Sequence, residues 1–217
     1  MGNIKQGILG GFNGKVGTVI GYFIHGKSFM RGLAGNVQDA NTELQRAVRA
    51  RFKALVKLGS AFNQAVQVGL KRMAADKRHS TGNSFFSLNW PKVTLDAEGQ
   101  GEIDLTKVEV SEGNLPSVSF QAPVFDSGLT LEVQYGADSG VPKTDGKDEV
   151  YLFAYQADLN QGVLGEPSLR SEGTAGVKVP AAWSGMKVHL YGFAVGGGAD
   201  NHGLRSKTTY LGSGNVE

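Results

Sequence analysis

Residues 7–27, GILGGFNGKVGTVIGYFIHGK, hold seven glycines in twenty-one positions, with Lys15 directly after one of them. A glycine-lysine pair closes the loop that cradles nucleotide phosphates. That loop also needs a glycine five residues before the pair and a Ser or Thr after it to hold magnesium. Leu9 and Val16 occupy those two positions, so the phosphate loop fails at both. A dinucleotide fold needs G-x-G-x-x-G between a strand and a helix. Here the glycines run into Val16, Thr18, Val19, Ile20, Tyr22, Phe23 and Ile24, a β-branched and aromatic series that predicts strand.

Other catalytic groupings are equally sparse. His25, His79, His189 and His202 are scattered, with no i, i+4 pair on a helix, and the chain has no cysteine to complete a zinc site or a disulfide. Asp200 and His202 stand close together without a G-x-S-x-G elbow, and the surrounding glycines and Asn201 make turn chemistry the simpler reading. The expectation is a protein that is not an enzyme, with no cofactor and no metal. The opening MGNIKQG is too polar for a secretory core, Gln6 stands where myristoylation needs Ser or Thr, and no apolar run reaches membrane-spanning length. Cytoplasmic synthesis and no membrane partner are therefore expected.

Charge points to partners instead. Residues 1–90 carry thirteen Lys or Arg against three acidic residues, a net of +10, whereas residues 91–217 carry nine against seventeen, a net of −8. Oppositely charged halves fit phosphates meeting the basic half, one copy's basic half meeting another's acidic half, or attraction within a single monomer.

Three zones must position these features. Residues 1–35 form a glycine-rich hairpin arm, with a strand from Lys15 to Ile24, a turn at His25-Gly26 and a return strand from Ser28 to Arg31. Gly17 and Gly21 are expected on one face, open to close approach by another backbone, and Val16, Thr18, Ile20, Tyr22 and Ile24 on the other. Such a hairpin needs a surface to lie on, either its own subunit or a neighbour.

Residues 36–81 form a basic amphipathic helix or helix pair starting near Thr42, which with Gln45 makes a capping-box pattern. Leu44, Val48, Phe52, Leu55, Phe62 and Val66 make an apolar stripe expected to face a core. Arg46, Arg49, Lys53 and Lys57 stack on a second face that suits an anion or an acidic partner. Residues 82–217 predict seven short strands, at 102–110, 116–122, 129–136, 149–156, 174–180, 187–195 and 206–212. The expected fold is thus mainly β with an α-helical segment, ending in an immunoglobulin-like antiparallel β-sandwich. Gly196 to Asn201 are expected to form a loose loop.

The segments IKQGILGGFNGKVGTVIG, NTELQRAVRARFKAL, NSFFSLN and KVEVSEGNLP, in this order, resemble an uncharacterised family of small Bacteroidota and phage proteins. The chain departs from that family at Val37-Gln38-Asp39-Ala40, where Asn-Pro is usual. The resemblance implies no catalytic or binding residue. Two functions are expected to compete. One is a structural subunit that self-assembles through its arm, as a phage capsid, connector or tail component, making homo-oligomers or joining other virion subunits. The other is a binding module whose sandwich loops or basic helix engage a glycan, a protein or nucleic acid.

Overall fold

The computed structural model describes residues 3–4, 11–24, 26–35, 38–125, 128–136 and 141–216, the first two by their backbone alone. The chain divides into two compact units, Met1–Thr42 and Glu43–Glu217. The protein is mainly β, with several antiparallel sheets and, among the described residues, four α-helices.

The first unit is a four-stranded antiparallel sheet in the order β1 (Asn3–Ile4), β2 (Phe12–Val16), β3 (Val19–Ile24) and β4 (Lys27–Gly32). The long strand expected from Lys15 to Ile24 is broken by a turn at Gly17-Thr18. Gly17 adopts φ +57°, a left-handed conformation that glycine takes without steric cost. The Leu33 amide closes this corner by donating to the Thr18 carbonyl at 2.7 Å. Of the expected second turn, His25 lies outside the described residues, and Gly26 has φ +76°.

The second unit opens with α1 (Glu43–Ala61), directly after Thr42, followed by α2 (Asn63–Gly69), α3 (Lys71–Lys77) and α4 (Thr81–Asn89). The Ser80 hydroxyl accepts from the Asn83 amide at 3.1 Å and so caps α4. The hairpin β5 (Val93–Leu95) and β6 (Gly101–Ile103) then packs along α1.

Next come β7 (Thr130–Gln134), β8 (Glu149–Gln156), β9 (Gln161–Leu164), β10 (Ser168–Leu169), β11 (Thr174–Lys178), β12 (Lys187–Val195) and β13 (Thr209–Asn215). β8 lies between β12 on one edge and β9 and β10 on the other, with β13 beyond β12, while β7 and β11 pair as a separate ribbon.

Alternation along β8 and β12 explains the layering, because successive side chains point to opposite faces. Val150, Leu152, Ala154, Val188 and Leu190 join Leu131, Val133, Ala175 and Val177 of the ribbon in one buried core around Trp183. Phe153, Tyr155, Tyr191 and Phe193 enter a second core with Leu55, Leu58, Phe62 and Phe85 from the helices. Phe62 is its hub, with ring centroids 4.8 Å from Phe153, 4.7 Å from Tyr155 and 5.4 Å from Tyr191. The central sheet is therefore covered on both faces, which is why these two strands read as nearly continuous apolar runs.

Expected strands 129–136, 174–180 and 206–212 stand as β7, β11 and β13 with shortened or shifted ends, and two others depart further. Over 102–110, strand ends at Ile103, because the Asp104 carboxylate accepts from the Thr106 amide at 3.0 Å and opens a 3-10 turn at Leu105–Lys107. Beyond it, side chains replace a strand ladder: the Glu109 amide donates to Asn89 Oδ1, and the Val110 and Ser111 amides to Thr208 Oγ1. Residues 116–122 carry an isolated bridge, Phe120 to Tyr135, rather than a strand.

His189, on β12, shares a 3.0 Å hydrogen bond between its Nδ1 and the Tyr210 hydroxyl. Burial, reinforced by the positive charge of Lys187, pushes its pKa below the ordinary 6.5. A lowered folded-state pKa contributes stability that is complete above 6.5 and is lost as pH falls below it. The melting temperature of the native chain is thus expected to drop further between neutral and mildly acidic pH than that of His189→Gln. Equal drops would remove His189 as a source of acid sensitivity.

Candidate assembly surface

The second unit carries an exposed apolar line on α1. Leu44 is 79% exposed, Val48 53%, Phe52 54% and Val56 46%. The apolar stripe expected to face a core is buried only in its later members, Leu55, Phe62 and Val66. Helix periodicity does not account for this, because at about 100° per residue Leu44 and Val48 fall within about 20° of Leu55 around the axis; the first turns run past the core that covers Leu55 and Leu58. The buried side is set by Leu55 and Leu58, which join the second core. The line 44, 48, 52, 56 runs off to one flank, where Phe52 touches Phe86 with centroids 5.2 Å apart.

Arg46, Arg49, Lys53 and Lys57 follow on the next face, and all four are exposed. α1 thus presents, in order around its circumference, a buried side, an apolar flank and a cationic face.

The arm is also rich in exposed apolar side chains. All six residues of β4 are exposed, Phe29 and Met30 among them. The register Ile20 to Arg31, Tyr22 to Phe29 and Ile24 to Lys27 puts these residues on one face together with Lys15. Tyr22 and Phe29 stack there at 5.7 Å. Among the described residues, this face combines large apolar groups with three cations and no carboxylate.

The predicted arm residues divide differently from the expectation. Ile20, Tyr22 and Ile24 share a face. Val16 pairs with Val19 and so lies on the opposite one, and Gly17 and Thr18 sit in the turn, on neither. Gly21 does permit a close approach, but from inside the arm: a Cβ there would stand 2.3 Å from the Phe12 carbonyl oxygen. β2 reaches this point after bending at Gly14, whose φ is +108°. The glycines let strands of one sheet meet.

Among the described residues, no group of three His, Cys, Asp or Glu is placed to hold a metal ion, and no helix is long and apolar enough to cross a membrane. The sequence gives no sign of the concave basic region that Lys71 and Arg72 of α3 form with Lys147 and Arg205. Residues so far apart in sequence leave no spacing signal.

A helix-backed antiparallel β unit preceded by a separate small sheet is thus the class of architecture defined here. Residues 11–212 match the model of the Family of unknown function (DUF6266), and the chain belongs to that family. No curated protein and no solved structure matches it.

Proposed function

We propose that the protein is a non-enzymatic structural subunit that associates with further copies of itself through its N-terminal sheet. The observation that carries this reading is β4, a strand exposed along its whole length with Phe29 and Met30 on its two faces. A small sheet needs a packed face for stability, and clustered exposed apolar groups favour contact with a partner. The apolar flank of α1 supplies further surface of the same kind, and its cationic face, Arg46, Arg49, Lys53 and Lys57, suits acidic strands of a neighbouring copy. Placement in a phage or phage-like particle is the setting that the resemblance of the arm and helix segments suggests.

The finer proposal for the fold is an immunoglobulin-like sandwich within residues 115–216. Its support is that β7 and β11 share a core with β8 and β12, and that the chain passes between the two layers from β7 to β8 and from β11 to β12.

The test replaces Ile20, Tyr22 and Phe29 together by serine and measures mass by light scattering. Burying each large apolar side chain contributes roughly 1.5–3 kcal/mol, so self-association is expected to weaken by about a hundredfold or more. Unchanged mass at equal concentration would show that this face takes no part.

A further inference from the structure

A cleft of about 500 Å³ lies between α3 and the loops at 143–148 and 196–205, and its charged lining is lopsided. Lys71 and Arg72 enter from α3, Lys147 from the first loop, and Arg205 from the end of the second, with His202 beside it. The carboxylate among the lining residues, Glu149, accepts a 2.7 Å hydrogen bond from the Tyr151 hydroxyl. Among the described lining residues, four cations stand against one carboxylate, an excess of three positive charges with His202 counted as neutral, of which Asp76, 3.9 Å from Arg72 Nε on the rim, offsets part.

We propose that this cleft binds a compact, multiply charged phosphoryl anion. A single carboxylate would leave most of the excess charge in place, whereas a pyrophosphate-like group offers several oxygens to cations converging from three segments. Guanidinium groups match the geometry of phosphate oxygens, and lysine adds point charges. Arg205 is held in place on its inner side, with Nε donating to the Val68 carbonyl at 3.2 Å and Nη1 to that of Gly203. Burial, with the Arg72 charge next in importance, lowers the Arg205 pKa. Arg72, which lines the same cleft, has its Nε beside the Asp76 carboxylate, so a bound anion would lie beside two guanidinium groups that are each held by the protein.

The cleft wall is built firmly. In the expected loose loop, a Cβ on Gly196 would lie 2.1 Å from the Asn201 carbonyl oxygen and one on Gly197 the same distance from that of Lys147. Asn201 is buried and donates from Nδ2 to the Lys143 carbonyl at 2.8 Å and to Asp148 Oδ1 at 2.7 Å. The two loops are therefore fastened to each other, which fixes Lys147 relative to His202 and Arg205. Binding here does not depend on self-association.

Calorimetric titration of the full chain with inorganic pyrophosphate at low salt tests the proposal. One site per chain is expected. Lys71→Glu with Lys147→Glu should weaken it about tenfold or more, as loss of charge-assisted hydrogen bonds implies. The milder pair Lys71→Gln and Lys147→Gln should weaken it in the same direction, and Arg46→Glu with Lys53→Glu on α1 should leave it unchanged. A short single-stranded oligodeoxynucleotide is titrated in competition. If it displaces pyrophosphate, nucleic-acid phosphates are the natural source; if it does not, a small phosphorylated molecule is. Absence of pyrophosphate binding, or affinity within twofold of the parent in both cleft variants while circular dichroism shows them folded, would overturn the proposal.

Discussion

Removal of residues 1–42 is expected to leave residues 43–217 folded and to abolish self-association, so that light scattering reports a single copy where the full chain reports several. The remaining unit keeps both hydrophobic cores, each made wholly of residues beyond Thr42, so its melting temperature should stay close to that of the full chain. Ionic strength provides the second arm of the experiment. The arm face carries Lys15, Lys27 and Arg31, α1 carries Arg46, Arg49, Lys53 and Lys57, and the surplus of acidic residues lies after position 90. Screening shortens the Debye length from about 30 Å at 0.01 M to about 3 Å at 1 M, so association led by these charges declines as salt rises. Association that strengthens with salt assigns the contact to Ile20, Tyr22, Phe29 and the flank of α1, and removes the cations from it. Undiminished mass after truncation would sink the arm reading altogether.

What the sequence made legible was whatever a single periodicity decides. β8 and β12 keep the expected bounds, 149–156 and 187–195, because each is a short, nearly continuous apolar run rich in β-branched and aromatic residues. α1 begins at Glu43 as its capping pattern suggests. The arm was harder, because glycine is compatible with both a strand and a turn, and only the left-handed conformation of Gly17 separates them.

Glu109 and Val110 fall within the expected strand 102–110, but their amides, with that of Ser111, are taken by Asn89 and by Thr208, about twenty and a hundred residues away, and no local signal reports such partners. β9 and β10 are too short and too glycine- and proline-bounded to stand out. The exposed flank of α1 was misassigned because Leu44, Val48 and Phe52 fit a core-facing spacing as well as Leu55 does. What decides is how far the second core extends along the helix, a tertiary property.

The buried ion pair behind the cleft carries the second large effect. Asp148 and Arg170 are both fully buried, with Asp148 Oδ2 3.2 Å from Arg170 Nε. Asp148 Oδ1 also accepts from Asn201 Nδ2 at 2.7 Å and from the Gly197 amide at 3.2 Å, and Oδ2 accepts from the Asp145 amide at 3.1 Å. Arg170 reaches the other way, donating from Nη2 to the Pro116 carbonyl at 3.0 Å. One carboxylate therefore ties three loops together. Asp148→Ala strands a buried guanidinium and unfastens the glycine loop, and the expected cost is about 3–5 kcal/mol in chemical denaturation, the range found when one member of a buried pair is removed. Arg170→Met combined with Asp148→Ala should be less destabilised than the sum of the two single variants, since the stranded charge is gone, though the amides of Asp145 and Gly197 still lose their acceptor. Hydrogen exchange supplies the local readout. In folded Asp148→Ala, protection at Gly197 and Gly198 should fall further than at Leu152 or Leu190 in the core, and pyrophosphate affinity should fall with it. A cost below about 1 kcal/mol would show that the loops are held by backbone packing alone and that the carboxylate is not their tie.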